Sequence, residues 1–160
     1  MAKLKRIVLD NSVYHITVRG NQRQTTFINT TDFAKYKEIL KHYKKKYNFK
    51  LYGYCLMPSH VHLILEVIKA KDLAKIMQGL NLTYTLYFNK KYQKVGHLWQ
   101  GRYNSKIIQK DKYLVTCIEY VELNPVRKEF VDNPVEYPWS SCKERLGYKK
   151  ERLLDELLII

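Results

Sequence analysis

Residues Val13 to Val18 (VYHITV) alternate along a β-branched run, which predicts a strand. Thr31-Asp32 then offers a helix cap, and Phe33, Tyr36, Leu40, Tyr43 and Tyr47 recur at helical spacing. The other faces of that helix carry Lys35, Lys37, Lys41, Lys44, Lys45 and Lys46. Phe49 to Leu56 and His60 to Val67 read as two strands joined by a Met57-Pro58-Ser59 turn, because Pro58 has no N–H for a central ladder. A second long helix, opened by Asp72, is marked by Leu73, Ile76, Met77, Leu80, Tyr84, Tyr87 and Phe88. A fourth strand is expected at Ser105 to Gln109. Asp111 is then expected to cap a third helix that ends before Pro125.

The first six elements run strand, helix, strand, strand, helix, strand. That order is the split βαβ pattern of an α+β, ferredoxin-like (RRM-like) fold, with two helices on one face of a four-stranded antiparallel sheet. The third helix is left over and docks on the other face. With 160 residues and no repeat, linker or low-complexity tract, the chain reads as a single domain over 1–160 with a short C-terminal tail. The apolar tail LLDELLII (153–160) packs either at home or on a partner.

Charge narrows the class of partner. Lys plus Arg number 29 and Asp plus Glu 15, a net +14, which points to a polyanion. No stretch approaches the roughly 20 apolar residues of a spanning helix, and the N-terminus carries no secretion signal. A cytoplasmic protein with no membrane partner is expected. The three cysteines, Cys55, Cys117 and Cys142, are widely spaced and form no CxxC pair, so neither a disulfide framework nor a cysteine zinc site is supported.

Alternation along the third strand puts Val61, Leu63, Leu65 and Val67 on one face and His60, His62, Ile64 and Glu66 on the other. The apolar set belongs against the two long helices, and the histidines project from the more open face. Two imidazoles at i and i+2 can converge on one divalent cation. They can equally be two satisfied or solvent-facing histidines. In the third predicted helix, Leu114, Cys117, Ile118 and Val121 form an apolar stripe, and Tyr120 and Asn124 lie together on its flank. If that stripe docks on the open sheet face, a phenol and an amide oxygen come near the histidines, while Glu119 and Glu122 point away.

Five segments carry a resemblance: YHITVRGNQRQTTF (14–27), YCLMPSHVHLIL (54–65), GHLWQGRYNSKII (96–108), YVELNPVR (120–127) and YPWSS (137–141). In this order the chain resembles the REP-associated tyrosine transposases of the HUH single-tyrosine superfamily. The resemblance implies that His60 and His62 hold a metal and that Tyr120 is the nucleophile. Asn124 would be the third ligand, where related enzymes carry Gln. It implies Mg²⁺ or Mn²⁺ as cofactor. The implied reaction cleaves and rejoins single-stranded DNA at REP-like hairpins through a 5′-phosphotyrosine. Some relatives are dimers whose tyrosine serves the partner's metal site, whereas REP-associated ones can act as monomers, so a homodimer stays open.

Candidate DNA contacts follow from charge and aromatic content. They are Lys44 and Lys45 in the lysine run, Arg19, Asn21 and Arg23 after the first strand, Trp99, Arg102 and Tyr103 around Gly101, and Arg127 after the tyrosine helix. Two other readings remain: a non-catalytic RRM-like nucleic-acid-binding module, and an HUH replication-initiator or relaxase nickase. The first leaves the histidine pair unexplained. The second ordinarily brings a larger chain and a third histidine ligand.

Overall fold

In the computed structural model, which describes residues 5–148 and 152–157, the strands are β1 (Ser12–Arg19), β2 (Lys50–Met57), β3 (His60–Val67) and β4 (Asn104–Ile108). They form one antiparallel sheet in the order β2-β3-β1-β4. Helices α1 (Thr30–Tyr47) and α2 (Ala70–Tyr92) cover one face, and α3 (Lys112–Glu122) lies against the other. This is the expected ferredoxin-like arrangement with the additional helix opposite the pair.

Strand alternation sorts the side chains as expected. Tyr14, Ile16 and Val18 of β1 and Val61, Leu63, Leu65 and Val67 of β3 join the core beneath α1 and α2. On the other face Val13, Ile64 and Ile108 meet Leu114, Ile118 and Val121 of α3. The helix-side face of the two central strands is therefore covered, while α3 covers the other face only at the Val13 and Ile64 end.

The helix boundaries differ from expectation at two points. Asn29, rather than Thr31-Asp32, caps α1: its side chain accepts from the Asp32 N–H, and the Asp32 carboxylate accepts in return from the Asn29 N–H. Such a reciprocal box satisfies two end donors at once. Helix α2 starts at Ala70 from a Lys69 cap with no side-chain bond, so Asp72 lies in the first turn rather than opening the helix. The third helix does end before Pro125, as expected: α3 stops at Glu122, and a separate short helix α4 (Asn124–Arg127) begins with Pro125 in its first turn, where its missing N–H is harmless. Asp111 does cap α3, accepting from the Tyr113 N–H.

One sheet edge is covered by the chain itself. Along β2 the Leu56 N–H donates to Trp139 O and the Ser141 N–H to Tyr54 O. Further down, the Asp155 N–H donates to Leu51 O and its carboxylate accepts from the Leu51 N–H. Leu154 is buried in the helix-side core and Leu157 packs against the opposite cluster, so the tail packs at home as far as it is described. The remaining tail residues Leu158, Ile159 and Ile160 lie outside the described residues. Helix α5 (Cys142–Arg145) follows the YPWSS segment, and Arg145 pairs with the buried Glu122 of α3 at 2.9 Å. Among the described residues, no helix is long and apolar enough to cross a membrane.

Candidate active site

The turn that carries His60 is held from below. Pro58 O accepts from the N–H groups of Thr26 and Phe27, and Ser59 O accepts from the Gly20 N–H. A Cβ on Gly20 would lie 2.4 Å from Gln24 O, so only glycine permits this close approach of the loop after β1. With the turn fixed, β3 presents His60 and His62 on the α3 side of the sheet. Their ring centroids are 5.1 Å apart and nearly perpendicular.

Neither imidazole is sealed in an apolar interior. His60 is half-buried, and His62, though 8% exposed, lines a cavity of about 660 Å³. Burial pushes the His60 pKa down to about 4, helped by Arg19 and Lys128. Burial likewise lowers His62 to about 3, with His15, His60, Arg19 and Arg127 adding to it. Both rings are neutral at pH 7 and keep a lone pair for a ligand.

Asn124 reaches the same place from α4. Its side-chain amide lies 3.0 Å from His60 Nε2 and is buried, at 4% exposure. The oxygen and nitrogen of a terminal amide are interchangeable by a flip. Turned over, the Asn124 oxygen and the His60 nitrogen sit about one octahedral edge apart for bonds of about 2.1 Å. Two neutral imidazoles and an amide therefore suit a first-row divalent cation. Among the described residues, no three His, Cys, Asp or Glu side chains gather as a metal cluster. The polar group beside His60 Nε2 is instead the Asn124 amide.

Tyr120 behaves differently from Asn124. It is 53% exposed and lines the cavity with His62. The Arg127 guanidinium stacks on its ring at 3.8 Å and donates to Tyr120 O at 2.7 Å. The cavity is also lined by Arg19, Arg102 and Lys106, with no carboxylate among its described lining residues. It is a cationic groove over His62 and an accessible phenol.

The remaining expected DNA contacts divide. Arg19 and Arg102 line the groove and Arg127 stands beside it on Tyr120. Arg23 is exposed, and Asn21 is half-buried in the loop after β1, its N–H bonded to Leu98 O. Tyr103 is half-buried against the helix-side core, with the Arg6 guanidinium 3.7 Å over its ring. Trp99 is open in the sequence to base stacking or to core packing, and the stacking role is corrected: it is 7% exposed and packs among Phe27 and Tyr84. Lys44 is corrected as well, since its ammonium is held by Asp155 at 2.9 Å. Lys45 is exposed, but it rises from α1, on the side of the sheet away from the histidines.

Sequence reading missed His15. It follows Val13 and precedes Thr17 on the polar face of β1, and it places Nε2 3.0 Å from His62 Nδ1. The signal was present, because His15 and Thr17 share the period-2 face whose neighbours Tyr14, Ile16 and Val18 point into the helix-side core. Lys106, directly across from His15 on β4, was missed for the same reason.

Comparison with known proteins bears on the family and the fold. A family model described as IS200-like transposase matches residues 8–124. A Haemophilus influenzae protein provisionally named a REP-associated tyrosine transposase is 27% identical over 157 residues, covering 88% of this chain and 85% of that protein. The REP-associated tyrosine transposase of Escherichia coli K12 is 20% identical over 142 residues, covering 88% and 82%. A solved REP-associated tyrosine transposase bound to a REP hairpin superposes with a TM-score of 0.76 at 18% identity, over 100% of this chain and 95% of that one. A provisional transposase of Deinococcus radiodurans gives 0.52 at 17% identity, over 76% and 96%. At those identities the structural likeness bears on the fold, and the family model bears on membership: the chain belongs to the IS200-like transposase family.

Proposed function

We propose that this transposase cleaves and rejoins single-stranded DNA at REP-like hairpins, with Tyr120 as nucleophile and His60, His62 and Asn124 as the ligands of Mg²⁺ or Mn²⁺. The observation that carries the reading is the convergence of the Asn124 amide on His60 Nε2 at 3.0 Å, beside a groove that His62 and the exposed Tyr120 both line. The hairpin bound to the structural neighbour supports the choice of substrate.

The strand would lie in the groove, its phosphates neutralised by Arg19, Arg102 and Lys106. Tyr120 is accessible to a phosphodiester there. Its Oη forms a bond to phosphorus as the bond to the 3′-oxygen breaks; the phenolic proton leaves and the 3′-oxygen gains one. The product is a 5′-phosphotyrosine and a free 3′-hydroxyl, so the phosphodiester energy is kept in the covalent link. Attack by a second 3′-hydroxyl reverses the chemistry and releases Tyr120. Arg127 holds the tyrosine ring from one side and supplies positive charge next to it. The divalent ion, when bound, acts as a Lewis acid that polarises the scissile phosphate. An enzyme of this kind works where the cell's DNA is, in the cytoplasm, and needs no partner subunit if Tyr120 serves its own chain's histidines.

The test is an adduct assay with Tyr120→Phe. Wild-type protein, a REP-type hairpin with a single-stranded flank and Mn²⁺ should give a covalent protein–DNA species on a denaturing gel. Tyr120→Phe should give none while binding the hairpin within about threefold. A wild-type protein that binds the hairpin yet never forms the adduct would point to a binding module instead.

A further inference from the structure

We propose that His15 is a positioning residue that fixes the tautomer of His62, accepting the Nδ1 proton so that Nε2 is left bare for the metal. The inference rests on the reading of His62 as a ligand. It starts from register. Thr17 faces His62 across the β1–β3 ladder and His15 faces Ile64, so His15 is the diagonal neighbour of His62 on the same sheet face. The rings are stacked, with centroids 5.2 Å apart and planes 30° from parallel. His15 Nε2 lies 3.0 Å from His62 Nδ1, whereas the Thr17 hydroxyl is farther, at 3.4 Å.

A neutral imidazole has one N–H and one lone pair, and which nitrogen carries which is set by the hydrogen bond it makes. Two arrangements fit a 3.0 Å contact. If His15 Nε2 carries the proton, His62 Nδ1 accepts it and His62 Nε2 must be an N–H, which repels a cation. If His62 Nδ1 carries the proton, it donates to His15 Nε2, and His62 Nε2 offers its lone pair. Only the second arrangement makes His62 a ligand, and it requires His15 to keep its own proton on Nδ1. A ligating histidine is ordinarily oriented by such an acceptor, usually a carboxylate or carbonyl. Here no carboxylate lines the groove among the described residues, and an imidazole takes that place. His15 is thereby spoken for and is not itself a third histidine ligand.

The test begins with the metal-free wild-type protein. Long-range ¹H–¹⁵N correlation of the imidazoles should show His62 protonated on Nδ1 and His15 on the nitrogen that does not face it. His15→Gln places an amide oxygen where the imidazole acceptor sits and should keep the His62 tautomer. His15→Leu removes the acceptor and should shift His62 toward the Nε2–H form. Mn²⁺ titration by calorimetry should then show affinity about 10- to 100-fold weaker for His15→Leu and within about threefold of wild type for His15→Gln. His62→Ala serves as the control for the ligand reading: if it binds Mn²⁺ as wild type does, that reading fails, whereas the tautomer spectrum still decides the role of His15. An Nε2–H tautomer in the wild-type protein would overturn the proposal. So would a His15→Leu protein with wild-type Mn²⁺ affinity beside a His62→Ala protein that has lost it. The wild-type spectrum needs no substitution, so a variant that fails to fold leaves the proposal open to refutation.

Discussion

Replacing Asp32 with Asn should cost stability in a way that depends on pH. The Asp32 carboxylate is buried at the start of α1, and five donors converge on it. The Ile28 and Asn29 N–H groups reach it at 2.9 and 3.2 Å, the Tyr87 and Tyr92 hydroxyls at 2.8 and 2.5 Å, and the Lys91 ammonium at 2.8 Å. Burial pushes its pKa up, but the hydrogen bonds from Lys91, Tyr92, Tyr87 and Ile28 outweigh it and hold the carboxyl at about 2. Against an unfolded value near 3.9, that depression is worth about 2.6 kcal/mol, and the solvated Lys91 end reduces it to about 2 kcal/mol. Because the folded pKa is the lower one, this stabilisation is fully present above about pH 5 and is lost as pH falls toward 2. The amide of the variant would accept fewer bonds and does not titrate. Urea unfolding at pH 7 should place Asp32→Asn at least about 2 kcal/mol below wild type, and that gap should narrow by about 2 kcal/mol between pH 5 and pH 2. Two stability curves that stay parallel down to pH 2 would refute the reasoning. The other carboxylates titrate alike in both proteins and cancel in the difference. The loss should reach the site as well, since the network ties the ends of α1 and α2 to residues 28 and 29, a step from the Thr26 and Phe27 amides that hold the Pro58 turn.

Two further outcomes separate core from DNA surface. Trp99→Ala should lower unfolding free energy by about 3–5 kcal/mol while the folded protein binds a hairpin within about threefold; an unchanged stability with hairpin binding weakened by more than about tenfold would restore Trp99 as a stacking platform. Arg102→Ala and Lys106→Ala should each reduce the slope of log affinity against log salt by about 1, whereas Lys44→Ala, which only frees Asp155, should leave it unchanged; equal slopes for all three, measured by fluorescence anisotropy, would remove the groove from the binding path.

Strand periodicity made much of this molecule legible. The observed bounds of β3, His60–Val67, are those the alternation predicts, and the same alternation separates the buried apolar face from the histidines. Local chemistry also read true where one side chain decides the outcome, as at the Asp111 cap. It failed where partners from elsewhere decide. The lysine run marks Lys44 for DNA, but Asp155 arrives from the C-terminal tail to hold it; aromatic content marks Trp99 for stacking, but Phe27 and Tyr84 enclose it. The α1 cap was misplaced because Asp32 is an acceptor for the Asn29 N–H as well as a helix residue, and a pattern of single residues does not show which of the two carries the cap.

The relation of Tyr120 to Asn124 shows why a proline in the motif matters. On one unbroken helix, residues four apart share a surface, and both side chains would have similar exposure. Here Tyr120 is 53% exposed and Asn124 only 4%. Between them α3 ends at Glu122, Leu123 takes φ −84° and ψ −4°, and α4 starts afresh with Asn124. Pro125 has no N–H to donate back into α3, which favours a new start at this point. The bonds from Val126 and Arg127 to Leu123 O carry the backbone across the break. The break turns the amide toward His60 and leaves the phenol facing the groove. Those are opposite requirements of the proposed chemistry: a metal ligand has to stay desolvated and fixed, while a nucleophile has to meet a strand, carry it and let it go. The interruption before NPVR lets the two residues differ in exposure, as the proposed chemistry asks of a buried donor and an accessible attacker.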